Sequence, residues 1–208
     1  MDRIILIGGG GHARVLIDLI KTTGQYEIAG ILDPLFEVGT SVSEISVLGN
    51  DSLLLQLYDK GIKNACIAVG SVKDNSKRKI LYEKAKELNF FLPALLHPKA
   101  IKSEESNIAH GVQIMAGAII QTNTFIDENT IINTGVVLEH DCVVGKHVHI
   151  SPGAVISGGC KIYDGAFIGT GATIIQACKI GRDSIVAAGA VVISDVPDGK
   201  TVMGIPAK

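Results

Sequence analysis

Ile126-Asp-Glu-Asn-Thr-Ile-Ile132-Asn-Thr-Gly-Val-Val-Leu138-Glu-His-Asp-Cys-Val-Val144 carries one pattern of six residues three times over. Followed outward in both directions, the phase holds from 108 to 196 without a gap. Every sixth residue from Ile108 to Val192 is a branched aliphatic, and the place four residues on, from Val112 to Val196, is always small or β-branched. The residue before that small place is Gly, Asn or Asp in thirteen of fifteen units, with His147 and Ala177 as the exceptions. Gly, Asn and Asp tolerate positive φ best, so each unit supplies a short strand and its own tight corner. Such a repeat describes a parallel β-helix in which three units make one triangular coil of eighteen residues and fifteen units make about five coils. Inward aliphatics then stack coil upon coil at the ordinary strand spacing of ~4.8 Å.

The register explains the cysteines. Cys142, Cys160 and Cys178 lie eighteen residues apart in the small inward slot, so they read as a buried column of thiols, which pack as small hydrophobes. A zinc site would need closely spaced ligand pairs, and no metal is expected. The 208 residues are 47% hydrophobic and 4% aromatic with a net charge of −2. That composition is aliphatic and globular and has no basic surface for a polyanion, so nucleic acid is not an expected partner. No apolar run approaches the ~18 residues of a membrane span, and the opening Arg3-Ile-Ile-Leu-Ile-Gly8 is too short for a signal peptide core. A cytoplasmic protein without membrane association is expected.

Ahead of the repeat the pattern changes. An apolar run at 3–7 ends in Gly8-Gly9-Gly10-Gly11-His12, after which Val15, Leu16, Leu19 and Ile20 recur at helical spacing. This predicts strand, glycine turn and helix. A second strand at 27–32 ends at Asp33, about 20 residues past the glycines, where a nucleotide-binding βαβ unit keeps an acid for a ribose hydroxyl. Ala13 stands where the third glycine of that fingerprint would fall. Further strands are expected at 46–48 and 65–69 and helices at 52–60 and 75–88, making the first ~90 residues a small α/β, Rossmann-like unit. Gly10, Gly11, His12, Asp33 and Gly70 would surround one crevice at the carboxyl ends of its strands. His12 would sit at a helix N-terminus, where free amides stabilise an anion. Leu95-Leu96-His97-Pro98-Lys99-Ala100 reads as a hinge, because Pro98 restricts His97 to extended conformations. Ile101 is seven residues before Ile108, which predicts that the strict phase begins only afterwards, and Pro197-Asp198-Gly199 is expected to end it.

Function must come from polar residues at corners and outward slots. Histidines concentrate in one coil: Glu139 points outward, His140 and Asp141 occupy the corner, and His149, between inward Val148 and Ile150, must point outward. An imidazole beside carboxylates is suited to general-base work, because the negative charge stabilises the imidazolium. His140 and His149 are separated by a further corner and roughly 15 Å, so they cannot touch one reacting atom within a protomer. A site in the groove between side-by-side protomers is therefore expected.

The repeat resembles that of the hexapeptide-repeat acyltransferases. Glu139-His140-Asp141, with His149 nine residues after His140, Asn133 seven before it and a Gly-rich N-terminal turn ending in His12, is similar to one sugar-acetyltransferase group. That group comprises the UDP-N-acetylbacillosamine pathway N-acetyltransferase, the perosamine N-acetyltransferases and the sialic acid O-acetyltransferases. The similarity covers essentially the whole chain. It implies a left-handed helix, a nucleotide-sugar-binding domain at 1–95 and an acyltransferase domain at 96–208. It also implies that His140 is the general base and that Asp141 raises its basicity. His149 and main chain near Thr170 and Ala188 would contact acetyl-CoA, and Gly10, Gly11, His12, Asp33, Gly70 and Asn133 the nucleotide-sugar, in a homotrimer with acetyl-CoA between adjacent helices. Pro34 departs from relatives that have a second acid after Asp33, and Ala188 from relatives with glycine there.

The resemblance makes the expected reaction acetyl transfer to the 4-amino group of a nucleotide-linked amino-deoxy sugar, in surface polysaccharide or glycan synthesis. Direct attack is expected, because Cys142 points inward and cannot carry an acyl group. O-acetylation of sialic acid or another sugar needs the same base and cosubstrate. A γ-type carbonic anhydrase is a rival suggested by the His147-x-His149 pair, although it would not explain the Gly-rich unit. A non-catalytic nucleotide-sugar sensor would leave the Glu139-His140-Asp141 corner without a role.

Overall fold

The computed structural model describes residues 1–71 and 74–208. It divides into two compact units, one of residues 1–71 and 76–95, the other of residues 74–75 and 96–208. In the first, β1 (Asp2–Ile7) lies inside a five-stranded sheet with β2 (Tyr26–Leu32), β3 (Ser41–Val42), β4 (Ile45–Gly49) and β5 (Asn64–Ile67), ordered β3-β4-β2-β1-β5. All pairings are parallel except the β3–β4 hairpin. Its two turn residues, Ser43 (φ 48°) and Glu44 (φ 71°), both take positive φ. Two-residue hairpin turns favour Asn-Gly in that geometry, so this hairpin carried no turn signal and was not expected.

Helix α1 (Gly11–Thr23) buries Ala13, Leu16, Ile17, Leu19 and Ile20 and closes at Gly24, whose left-handed backbone (φ 60°) donates its N–H to the Ile20 carbonyl. Val15, read as part of the apolar face, is instead 45% exposed. The helix expected at 52–60 is a single 3-10 turn, Asp51–Leu53, leading into α2 (Leu54–Asp59), and α3 (Ser76–Glu87) follows. Strand β5 stops two residues earlier than expected, at Ile67. Its partner β1 ends there too, Ile7 being in register with Ile67, and among the described residues only the bond from Ala68 N–H to the Ile7 carbonyl (2.8 Å) follows. The guanidinium of buried Arg78 of α3 donates to the carbonyls of Ile67 (2.7 Å) and Val69 (3.0 Å), which face the other edge of β5. Burial lowers the Arg78 pKa to about 10, which leaves the group charged at neutral pH.

The second unit is a left-handed parallel β-helix of two-residue strands gathered into sheets of six, five and seven strands. Ile114, Ile126, Ile132, Leu138, Val144, Ile150 and their successors line its interior at or near zero exposure. Corners recur every six residues from Gly111 to Gly189, all with positive φ, including His147 (57°) and Ala177 (61°). The two compositional exceptions therefore keep the conformation, and Asp195 is the corner position that departs from it. Polar groups in the small inward slot are satisfied locally. Thr124, Thr130 and Ser184 donate hydroxyls to the carbonyls of Glu139, Gly145 and Gly181. Cys142 and Cys160 donate to those of Ser157 and Ile175.

Both ends extend further than expected. Leu95–Leu96 and Ile101–Lys102 already form strands, and Ile101–Lys102 pairs with Ile119–Ile120. The six-residue phase thus runs back through Lys102 to Leu96, hidden because a lysine occupies an aliphatic slot at the end of the prism. Its ammonium is accommodated by the carbonyls of Ser103 (2.7 Å) and Ser106 (3.3 Å). At the other end Thr201–Val202 pairs with Ile185–Val186, sixteen residues on instead of eighteen. That shortened turn carries the last strand past the end expected at residues 197–199.

Candidate active site

His140 and Asp141 stand at the corner between Val137–Leu138, a strand of the six-stranded sheet, and Val143–Val144 of the five-stranded sheet. The left-handed backbone of Asp141 (φ 60°) turns its carboxylate back along the corner. Its Oδ2 lies 2.7 Å from His140 Nδ1. A carboxylate only accepts, so Nδ1 carries the hydrogen and Nε2 is the nitrogen able to take a proton. The side chains are 57% and 53% exposed. The bond to Asp141 raises the His140 pKa above its ordinary value; desolvation opposes it, and the charges of Asp141 and Glu139 add smaller upward effects. Asp141 is held low, first by a hydrogen bond from Asn123 Nδ2 to its Oδ1 (2.6 Å) and then by His140. The result is an exposed imidazole with one nitrogen anchored and the other open for proton transfer.

His149 is placed differently from the expectation of a surface residue. It projects from the seven-stranded sheet as expected but is only 7% exposed, in register with Ile131 and Phe167, with its ring edge-on to Phe167 at 5.4 Å. Asn133 Oδ1 accepts the Thr134 N–H (2.8 Å), which directs Nδ2 to His149 Nε2 at 3.2 Å. The amide donates, so Nε2 accepts and the neutral ring keeps its hydrogen on Nδ1. Asn133 and His149 are thus brought together, on a different sheet from the corner that holds His140. His147 bonds Asn129 through Nδ1 (2.9 Å) and is 6% exposed at its own corner, so His147 and His149 address separate partners. Among the described residues no group of three or more His, Cys, Asp or Glu side chains is arranged to hold a metal ion.

Farther along the seven-stranded sheet, Phe167, Gly169, Thr170, Ile185, Ala187, Ala188, Thr201 and Met203 line a cavity of about 340 Å³. Thr170 and Ala188 therefore share one cavity, beside the residue that packs on His149. Gly169 is needed there because a Cβ would lie 2.4 Å from the Ala188 nitrogen. The lining is mainly apolar, small at Gly169, Ala187 and Ala188 and larger at Phe167, Ile185 and Met203, with hydroxyls at Thr170 and Thr201, which suits a narrow arm of methylenes and amides such as the pantetheine of acetyl-CoA. Thr170 and Ala188 are singled out in the sequence only by the resemblance, while nothing in the repeat distinguishes Phe167, Ile185 and Met203 of the same cavity from other outward residues.

In the first unit, Gly10 caps α1 without a side-chain hydrogen bond, no acid occupies the first turn, and both Gly10 and Gly11 are exposed with open space beside them. Such a helix start offers free amides to an anion. Gly70 lies against His12, where a Cβ would come 3.3 Å from the His12 Cβ. Asp33 is 8% exposed and both its oxygens already serve the backbone, Oδ2 accepting from Gly9 N–H (2.7 Å) and Oδ1 from Leu35 N–H (2.9 Å). Its evident work is to brace the glycine turn. A cavity of about 190 Å³ lies at this end of the sheet, lined by apolar Ile7, Leu32, Val69 and Leu81 and by Asp33, Asp51 and Lys77. Asp51 and Lys77 were not foreseen, since nothing in 51–60 or 75–88 sets them apart from other exposed helix charges. Gly8 lines the same cavity. Its φ of 117° and a Cβ position 2.8 Å from Ala68 backbone require glycine.

A six-residue β-helix with an exposed His–Asp pair at one corner and an apolar cavity on a neighbouring sheet defines a hexapeptide-repeat acyltransferase. Residues 3–85 match the PglD N-terminal domain and residues 123–158 match the bacterial transferase hexapeptide (six repeats). PerB from Caulobacter crescentus, solved with CoA and GDP-perosamine, superimposes with a TM-score of 0.93 at 37% identity, over 100% of this chain and 97% of that one. The acetyltransferase domain of PglB from Neisseria gonorrhoeae superimposes with a TM-score of 0.93 at 37% identity, over 100% and 99%. UDP-N-acetylbacillosamine N-acetyltransferase of Bacillus subtilis is 38% identical over 127 residues, which span 56% of this chain and about half, 52%, of that protein. The chain belongs to the family of hexapeptide-repeat sugar N-acetyltransferases that carry a PglD N-terminal domain.

Proposed function

We propose that the protein transfers acetyl from acetyl-CoA to the 4-amino group of a nucleotide-linked amino-deoxy sugar used in surface polysaccharide or glycan synthesis. The observation that carries this reading is the exposed His140–Asp141 pair at 2.7 Å, on the scaffold shared with sugar N-acetyltransferases. His140 Nε2 removes a proton as the amine attacks the thioester carbonyl. The C–N bond forms, the tetrahedral intermediate collapses with loss of the C–S bond, and the imidazolium returns its proton to the CoA sulfur. Asp141 stabilises that imidazolium. No acyl-enzyme is involved, because Cys142 is 1% exposed and its thiol pKa is raised by the neighbouring Cys160 thiol and by burial.

Acetyl-CoA is assigned to the cavity that contains Thr170 and Ala188, with His149, held by Asn133, on the same sheet. The sugar nucleotide is assigned to the first unit, with its phosphates at the Gly10-Gly11-His12 helix start and Gly70 and Asp33 shaping the turn. The active form is a homotrimer with each site between two protomers. An apolar outward row on the six-stranded sheet supports this, because it gives one face of the prism the character of an interface. The cytoplasm is the proposed location, consistent with four free cysteines and the reducing conditions that keep thiols free. No described helix is long and apolar enough to cross a membrane.

The test follows CoA thiol release with UDP-, GDP-, TDP- and CMP-sugars bearing amines or hydroxyls. An amino-deoxy sugar diphosphonucleotide should be the preferred acceptor, and His140→Ala should lose ~10²–10⁴-fold in turnover. Release with hydroxyl acceptors alone, or a fully active His140→Ala enzyme, overturns the proposal.

A further inference from the structure

The corner that bears His140 is repeated one coil earlier and one coil later, and each neighbouring coil places one residue against the His–Asp pair. Asn123 stands eighteen residues before Asp141 and shares its left-handed backbone, φ 56° against 60°. Parallel side chains on successive corners bring Asn123 Nδ2 within 2.6 Å of Asp141 Oδ1, leaving Oδ2 for His140. Gly158 stands eighteen residues after His140, and the imidazole lies over it. A Cβ at position 158 would sit 2.6 Å from both Cε1 and Nε2 of the ring and 3.1 Å from Cδ2. The backbone of Gly158 lies outside the left-handed region, so its own conformation would admit alanine. What a methyl cannot share is the space of the ring. The main chain of the corner is tied in the same two directions, Asp141 N–H to the Thr122 carbonyl (3.2 Å) and Gly159 N–H to the His140 carbonyl (2.8 Å).

We propose that Asn123 and Gly158 are positioning residues for the reaction: the coil before orients the Asp141 carboxylate, and the coil after leaves the space in which the His140 imidazole lies. Asn123 fixes which carboxylate oxygen faces Nδ1, and Gly158 keeps Nε2 at the height where a bound amine meets it. The inference rests on the reading of His140 as general base.

The test uses Asn123→Gly, which removes the amide and keeps a residue suited to positive φ, and Gly158→Ala. Each is compared with wild type by steady-state kinetics from pH 5.5 to 9 and by NMR titration of His140 in the full-length protein. Displacing a general base by about an ångström should lower kcat ~10- to 100-fold, with KM for acetyl-CoA changed less than about twofold. The midpoint of the acid limb and the NMR pKa of His140 should both fall toward the ordinary imidazole value. A residue that merely supports the fold would lower Tm and leave those midpoints in place. Wild-type kcat and His140 pKa in a folded Asn123→Gly or Gly158→Ala variant overturn the assignment of that residue, and if Gly158→Ala does not fold the question passes to Asn123→Gly and the titration. His140→Ala separates the two levels. If that variant is active the base assignment fails, whereas if it is inactive and both positioning variants behave as wild type, only the present inference fails.

Discussion

Asp141 acts on His140 in two ways, by holding the proton on Nδ1 and by raising the imidazole pKa through a hydrogen bond and its charge. Asparagine at 141 would keep the left-handed corner, which it tolerates well, and could still accept from Nδ1, but it would carry no charge. The sign of the expected change follows from the role. A general base works when neutral, so with His140 in the proposed role activity is expected to rise as pH rises through the His140 pKa, which the Asp141 hydrogen bond raises above the ordinary value. Asp141→Asn should move the midpoint of kcat against pH to lower pH and lower the plateau by ~10- to 100-fold, because a less basic, less stabilised imidazole transfers protons less effectively. A midpoint that moves to higher pH would show that Asp141 does not stabilise the imidazolium. The pair itself was legible, since residue types at consecutive corner positions specify it. The burial of His149 was not, because the repeat says which side a residue points to and not what later covers that side.

At the scale of the element, the corner decides stability. A left-handed conformation costs an ordinary residue roughly 1–2 kcal/mol, and Ala177 (φ 61°) bears that cost without a side-chain hydrogen bond to offset it. His147, the other exception, has its bond to Asn129. Ala177→Gly should therefore stabilise the protein by about 0.5–1 kcal/mol after allowing for the greater backbone entropy of glycine when unfolded. Calorimetry should show a Tm increase of ~1–3 °C, and a decrease would mean that the Ala177 methyl makes packing contacts worth more than the strain. The repeat was legible because each unit restates the same aliphatic, small and turn positions. Its ends were not, since Lys102 replaces an aliphatic and the final turn is two residues short. The β3–β4 hairpin escaped for a related reason, Ser43 and Glu44 being ordinary residues in a turn geometry that usually advertises itself with glycine.

At the scale of the whole molecule, the three faces of the prism differ in what they leave open. The outward row of the seven-stranded sheet is largely buried within the chain, with Gln113, Ile131, His149 and Phe167 all at 9% exposure or less. The five-stranded sheet pairs Phe125 and Val143 with Lys161 and Lys179, and two ammonium groups on one face oppose burial. The six-stranded sheet presents Ile101, Ile119, Val137, Val155, Thr173 and Val191, without a charge and all at least partly exposed. An uncharged row along a flat face is the arrangement expected of a permanent interface, and His140 lies at the corner that borders it. Val137→Lys combined with Val155→Lys would place two ammonium groups in the middle of that row, where burial costs several kcal/mol per charge. Both side chains point away from the prism interior, so the coil itself should still form. The double variant should sediment as a monomer at micromolar concentration with an unchanged far-UV circular dichroism spectrum, and its CoA release should fall at least about tenfold, as expected when one wall of the site is lost. A double variant that sediments as the wild type does would move the proposed interface to another face. A monomer with full activity would mean that one protomer completes the site alone, and the assignment of acetyl-CoA to a groove between helices would fail with it.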